Sequence, residues 1–131
     1  MKNVLLIGKL NELVKDIHRA LSEQFRVQLC SENVNMIPGM LNVSEPDLVL
    51  ISLIGMHENH EAIFELLRRN YPKIPVVTVG TEEEWKRFTR YYDEGQFENL
   101  IRPVDNIKIR ELICEKLGID PETGLSEDEE K

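Results

Sequence analysis

The chain has 131 residues, 41% hydrophobic and 31% charged, which suits one soluble globular domain able to bury a core without disulfide staples. Its formal net charge of −8 argues against a phosphate-backbone binder, which needs clustered Lys and Arg, and no apolar run approaches the roughly 20 residues that span a bilayer. The cysteines, Cys30 and Cys114, lie far apart without metal-ligand spacing, as expected of free thiols in a reducing cytoplasm.

Short apolar runs alternate with stretches of helical period. Residues 4–7 read as a first strand; without a small-residue cleavage site after it, the N-terminus is not a signal peptide. Leu10, Leu13, Val14, Ile17 and Leu21 then recur at helical spacing and give one buried face. A second strand covers 25–29, and Ser31 begins the next connection. Residues 33–43 are apolar but hold Pro38 and Gly39. Proline fits only the first turn of a helix, so this second helix is short and starts late. Residues 48–51 form the third strand. Ala62, Ile63, Leu66 and Leu67 mark the third helix, which ends near Asn70 before Pro72. Residues 75–79 form the fourth strand. Thr81 is the N-cap of a fourth helix, with Glu82, Glu83 and Glu84 at the positive end of its dipole. Trp85, Phe88, Tyr91 and Tyr92 follow on that helix, which Gly95 terminates. Residues 97–101 form the fifth strand, and Asp105 or Asn106 caps a last helix through Ile109, Leu112, Ile113 and Leu117.

Five strand–helix units in alternation predict a doubly wound parallel sheet with helices on both faces, in the flavodoxin-like order 2-1-3-4-5. Ligands in such sheets bind at the C-terminal strand ends, here at Gly8, Lys9, Ser52, Gly80, Thr81 and Arg102. The folded domain is expected over 1–117. Residues 118–131 hold Asp120, Glu122, Glu127, Asp128, Glu129 and Glu130 against Lys131, a net −5, and read as a mobile acidic tail, either solvated or an interaction segment.

Several segments resemble receiver domains of two-component response regulators, over about residues 3–117. Pro46-Asp47-Leu48-Val49-Leu50 is similar to the family's run into strand three, and Ile74-Pro75-Val76-Val77 to its strand four. Asp93-Glu94-Gly95 sits where receivers end their fourth helix, and Leu100-Ile101-Arg102-Pro103-Val104 resembles their Lys-Pro turn, with arginine for lysine. The resemblance implies a cis bond before Pro103.

At the functional positions the chain departs from that family. The metal-holding acid pair is replaced by Gly8 and Lys9, the phospho-accepting aspartate by Ser52, the hydroxyl residue closing strand four by Gly80 (Thr81 is one place later), and the strand-five aromatic by Asn99. Only Arg102 keeps its charge type. Mg²⁺ needs oxygen ligands, usually one or two carboxylates, and Lys9 repels a divalent cation. Acyl-phosphate formation needs a carboxylate and a charge-offsetting metal, whereas a serine hydroxyl is weak without a nearby base. An engineered Asp-to-Ser change would account for Ser52 but not for Gly8 and Lys9 as well.

The expectation is therefore a non-enzymatic pseudo-receiver in the cytoplasm. No cofactor, catalytic residue or metal site is expected, and no contact with membrane or, by this domain alone, nucleic acid. Its partner is a protein or a second copy, met through the helix 4–strand 5–helix 5 face around Tyr91, Tyr92 and Asn99. The alternative is a small-molecule or anion site in the emptied pocket, where Gly8, Ser52 and Gly80 leave room and Lys9 and Arg102 hold charge. Lys9 either fills the metal's space, bonding Ser52 or loop carbonyls, or points into solvent. His57, Glu58, His60 and Glu61 lack metal-site spacing and read as a solvated helix start. Arg68, Arg69 and Lys73 form the densest basic patch.

Overall fold

The structure, a computed structural model, describes residues 1–122. The elements are β1 (Asn3–Ile7), α1 (Glu12–Leu21), β2 (Arg26–Cys30), α2 (Ile37–Ser44), β3 (Leu48–Ser52), α3 (Glu61–Asn70), β4 (Val76–Gly80), α4 (Glu82–Trp85), β5 (Phe97–Ile101) and α5 (Asn106–Leu117). All strand pairs are parallel, and the sheet order is β2-β1-β3-β4-β5.

Every residue of β3 and of β4 is buried, which explains their unbroken apolar runs: both sheet faces are covered. Side chains still alternate between two cores. Leu5, Ile7, Val49 and Ile51 face the layer of α2, α3 and the segment after β4, where Phe64, Phe88, Tyr91 and Phe97 gather. Val4, Leu6, Leu48 and Leu50 face α1 and α5, against Ile17, Leu21, Ile109 and Ile113. The side chains of Asn11 and Asp105 cap α1 and α5, each accepting an N–H at 2.9 Å from the residue three places on. Asp47, in the connection between α2 and β3, ties that connection to β1, its carboxylate accepting from the Asn3 N–H at 2.8 Å. Pro38 lies in the first turn of α2, as expected. The Arg102–Pro103 bond is cis.

The fourth helix departs from expectation. Only Glu82–Trp85 is α-helical; Lys86–Tyr91 is a 3₁₀ segment, with Phe88 off helical geometry at φ −124°, ψ 19°. Trp85, Phe88 and Tyr91 are spaced by three. A 3₁₀ turn of three residues aligns such positions on one face, where an α-helix would fan them apart. Two smaller differences concern exposure. Leu10 precedes α1 and is exposed, while in α3 the exposed Ala62 gives way to Phe64 as the core residue. Packing also runs past Leu117. Gly118 (φ +66°) closes α5, Ile119 is buried, and Gln24 Nε2 donates to the Pro121 carbonyl at 2.6 Å. The rest of the expected acidic tail, 123–131, lies outside the described residues.

Phe64 stacks on Phe88 at 4.3 Å between ring centroids and meets Tyr91 at 5.3 Å and Phe97 at 5.6 Å. It joins α3, the 3₁₀ segment and β5. Phe64→Ala will therefore destabilise the domain by about 3–5 kcal/mol, read as a lower urea midpoint.

Candidate functional site

The C-terminal edge of the sheet brings Gly8, Ser52 and Gly80 side by side, because β1, β3 and β4 are neighbours in register. The expectation that these small residues leave a shared pocket between them is corrected. A Cβ on Gly8 would lie 3.0 Å from Ser52 Cβ, and one on Gly80 would lie 2.7 Å from Leu53 Cδ1. Leu53 is fully buried, and it fills the space over Gly80. Ser52 is 1% exposed, and its hydroxyl oxygen has no hydrogen-bond partner among the described residues. Lys9 therefore does not bond Ser52. Its stem and ammonium lie over Gly55, where a Cβ would come within 2.9 Å of Nζ. Gly55 also has φ +78°, so two separate constraints require glycine there.

Arg102 is already paired. Its Nη2 donates to Glu84 Oε1 at 3.0 Å, and both side chains are mostly buried. The same carboxylate oxygen accepts the Thr81 N–H at 2.8 Å, while Thr81 Oγ1 accepts the Glu84 N–H at 3.2 Å. This reciprocal cap makes Thr81 a helix-start residue. Burial pushes the Glu84 carboxyl up, but the Thr81 N–H and the Arg102 guanidinium outweigh it and hold the group below its ordinary range.

Asn99 completes a partly buried chain. Thr78 donates to Asn99 Oδ1 at 2.7 Å, so the Tyr92 hydroxyl donates to Thr78 Oγ1 at 2.6 Å; Asn99 Nδ2 then reaches the Gly80 carbonyl at 3.3 Å. Burial is the main cause that pushes the Tyr92 hydroxyl up to about 12, against the opposing hydrogen bond with Thr78. Tyr91 was expected on a partner face but is a core residue, 2% exposed, with its hydroxyl donating to Glu65 Oε1 at 2.7 Å. What lies open on that side is a groove of about 310 Å³ bordered by Trp85, Tyr92, Phe97, Asn99 and Ile101, with Ile101 50% exposed.

Arg87 has a role the sequence did not signal. It crosses from the 3₁₀ segment to the loop after β3 and donates to the Met56 carbonyl at 2.9 Å. His60 Nδ1 accepts the His57 N–H and His57 Nδ1 the Asn59 N–H, so both rings serve the helix start. The basic patch is neutralised in part: Arg68 and Arg69 each pair with Glu65 at 3.0 Å.

Solved structures share this architecture. The N-terminal domain of the nisin resistance regulator NsrR matches with TM-score 0.73 at 14% identity, over 89% of this chain and 98% of that one. The receiver domain of NtrX from Brucella abortus gives 0.73 at 14% identity, over 87% and 97%. A response regulator from Desulfuromonas acetoxidans gives 0.68 at 21% identity, over 89% and 97%. The chain thus has the fold of response-regulator receiver domains. No family model and no curated protein matches its sequence.

Two outcomes follow from this geometry. Gly80→Ala will destabilise by about 1–3 kcal/mol through overpacking, and the penalty will shrink in a Leu53→Ala background, a non-additivity that a double-mutant cycle reads directly. Because the folded Glu84 is more acidic than the unfolded one, its contribution is complete above the ordinary carboxylate range and is lost as pH falls through the depressed value. Urea midpoints against pH will show an acid-side decline that is shallower in Glu84→Gln.

Proposed function

We propose that this domain is a pseudo-receiver: a non-enzymatic, cytoplasmic signalling module of the two-component type that takes no phosphoryl group and acts through protein–protein contacts. The observation that carries this reading is the packing at Ser52, a hydroxyl buried against Gly8, with glycine and lysine where the metal's carboxylates would stand. Phosphoryl transfer works by positioning and charge stabilisation. Here the nucleophile is covered, no carboxylate stands at position 8 or 9, and the guanidinium of Arg102 is spent on Glu84.

The Tyr92–Thr78–Asn99–Gly80 chain supports the same reading. The positions that receivers use to relay phosphorylation are here bonded to one another, which favours one fixed conformation. The partner is a protein or a second copy, engaged at the helix 4–strand 5–helix 5 face. The residues that suit docking there are Trp85 and Ile101 at the groove and the exposed Ile107 on α5.

The test is an amide NMR titration with Mg²⁺ followed by beryllofluoride as phosphoryl mimic. The amides of Gly8, Ser52 and Gly80 are expected to stay still; saturable shifts at these amides would overturn the proposal. Ile101→Glu is expected to abolish partner capture or self-association, while Ser52→Ala leaves it intact.

A further inference from the structure

A crevice of about 590 Å³ opens between the C-terminal ends of β1 and β2, away from Leu53 and Gly80 and within the usual size range of small-molecule sites. Gly8 contributes no side chain to it. Its lining includes Lys9, Val14, Cys30, Ser31 and two leucines, Leu10 at 68% exposure and Leu29 at 38%. Large aliphatic side chains held in water at a depression offer unused apolar surface. Glu32 also lines the crevice. Its Oε2 is shielded from solvent yet has no hydrogen-bond partner among the described residues. A desolvated carboxylate oxygen without a donor is costly, and a ligand O–H or N–H placed there would relieve it.

These features specify the ligand's chemistry. It must offer donors to a carboxylate at one end and a flat, weakly polar body to two leucines at the other. In doubly wound sheets, a carboxylate downstream of the first turn is where ribose hydroxyls are accepted, and Glu32 stands two residues beyond β2. Phosphate groups do not suit the site. The turn after β1 reads Gly8-Lys9-Leu10-Asn11-Glu12, with one glycine and no second point of close backbone approach. Glu32 repels an anion at the wall, and Lys9, which also borders the crevice, carries its ammonium away over Gly55, outside the lining.

We propose that the crevice between β1 and β2 binds a neutral nucleoside, its ribose hydroxyls donating to Glu32 and its base lying between Leu10 and Leu29. This site is separate from Ser52 and from the β5 groove, so its failure leaves the protein-contact reading untouched. The probe is adenosine, titrated into the isotope-labelled full chain. Saturable shifts are expected at the amides of Leu29, Ser31 and Glu32, with Gly80 and Asn99 still. Glu32→Gln should weaken binding about tenfold or more, because a charged acceptor becomes a neutral one. 2′-Deoxyadenosine should bind less tightly, and adenosine monophosphate no more tightly, than adenosine. Leu29→Lys, at a half-exposed position, should remove binding while the amide spectrum stays folded. The proposal falls if adenosine gives no saturable shift at millimolar concentration. It falls equally if Glu32→Gln and Leu29→Lys bind as the parent does, or if inorganic phosphate or the monophosphate binds the same amides more tightly than the nucleoside.

Discussion

Complete burial of β3 and β4 is the constraint on which the rest depends. With helices on both faces, the ends of these strands open neither to a helix-free face nor to a sheet edge, so each residue there must be small, apolar or fully bonded. Gly80 is small, Leu53 is apolar, and Thr78 is bonded on both sides. Ser52 is the exception, a hydroxyl with no partner among the described residues, and it is the position at which the resemblance to receivers places the reacting group.

The polar residues around this edge are organised as closed pairs. Glu84 answers Arg102 and the Thr81 N–H together, and Asn99 answers both Thr78 and the Gly80 carbonyl. Arg87 answers the Met56 carbonyl in the loop after β3. A carboxylate holding two donors and an amide using both of its ends leave few polar groups free to greet a phosphoryl group or a metal. The same bonds hold β4, β5 and the segment after β4 in register, so the edge contributes rigidity to the fold.

Much of this was legible in the sequence. Strand positions and order followed from unbroken apolar runs between amphipathic ones, because a two-sided core leaves that pattern in any such sheet. The Thr81 and Asp105 caps were legible because capping is local, settled by residues three apart. The misreadings were non-local or periodic. Leu53 looks like an ordinary loop residue, and nothing near it in sequence says that it lies over Gly80, 27 positions away in the chain. Tyr91 was placed at the surface because an α-helix was assumed; the three-residue spacing of Trp85, Phe88 and Tyr91 was the available signal for a tighter turn. Leu10 matched the period of α1 yet lies before its cap, since periodicity alone does not locate a helix start.

The fit of Leu53 over Gly80 also bears on the history of such a domain. Any larger residue at position 80 meets Leu53, and a carboxylate at position 52 enters a site from which water is excluded. A smaller residue at 53 leaves a void beside Gly80. On the pseudo-receiver reading, each single step toward a phosphorylatable receiver passes through a less stable protein, and only concerted changes avoid the valley. Packing of this kind is self-preserving: selection on stability alone holds positions 52, 53 and 80 together, without any selection on signalling.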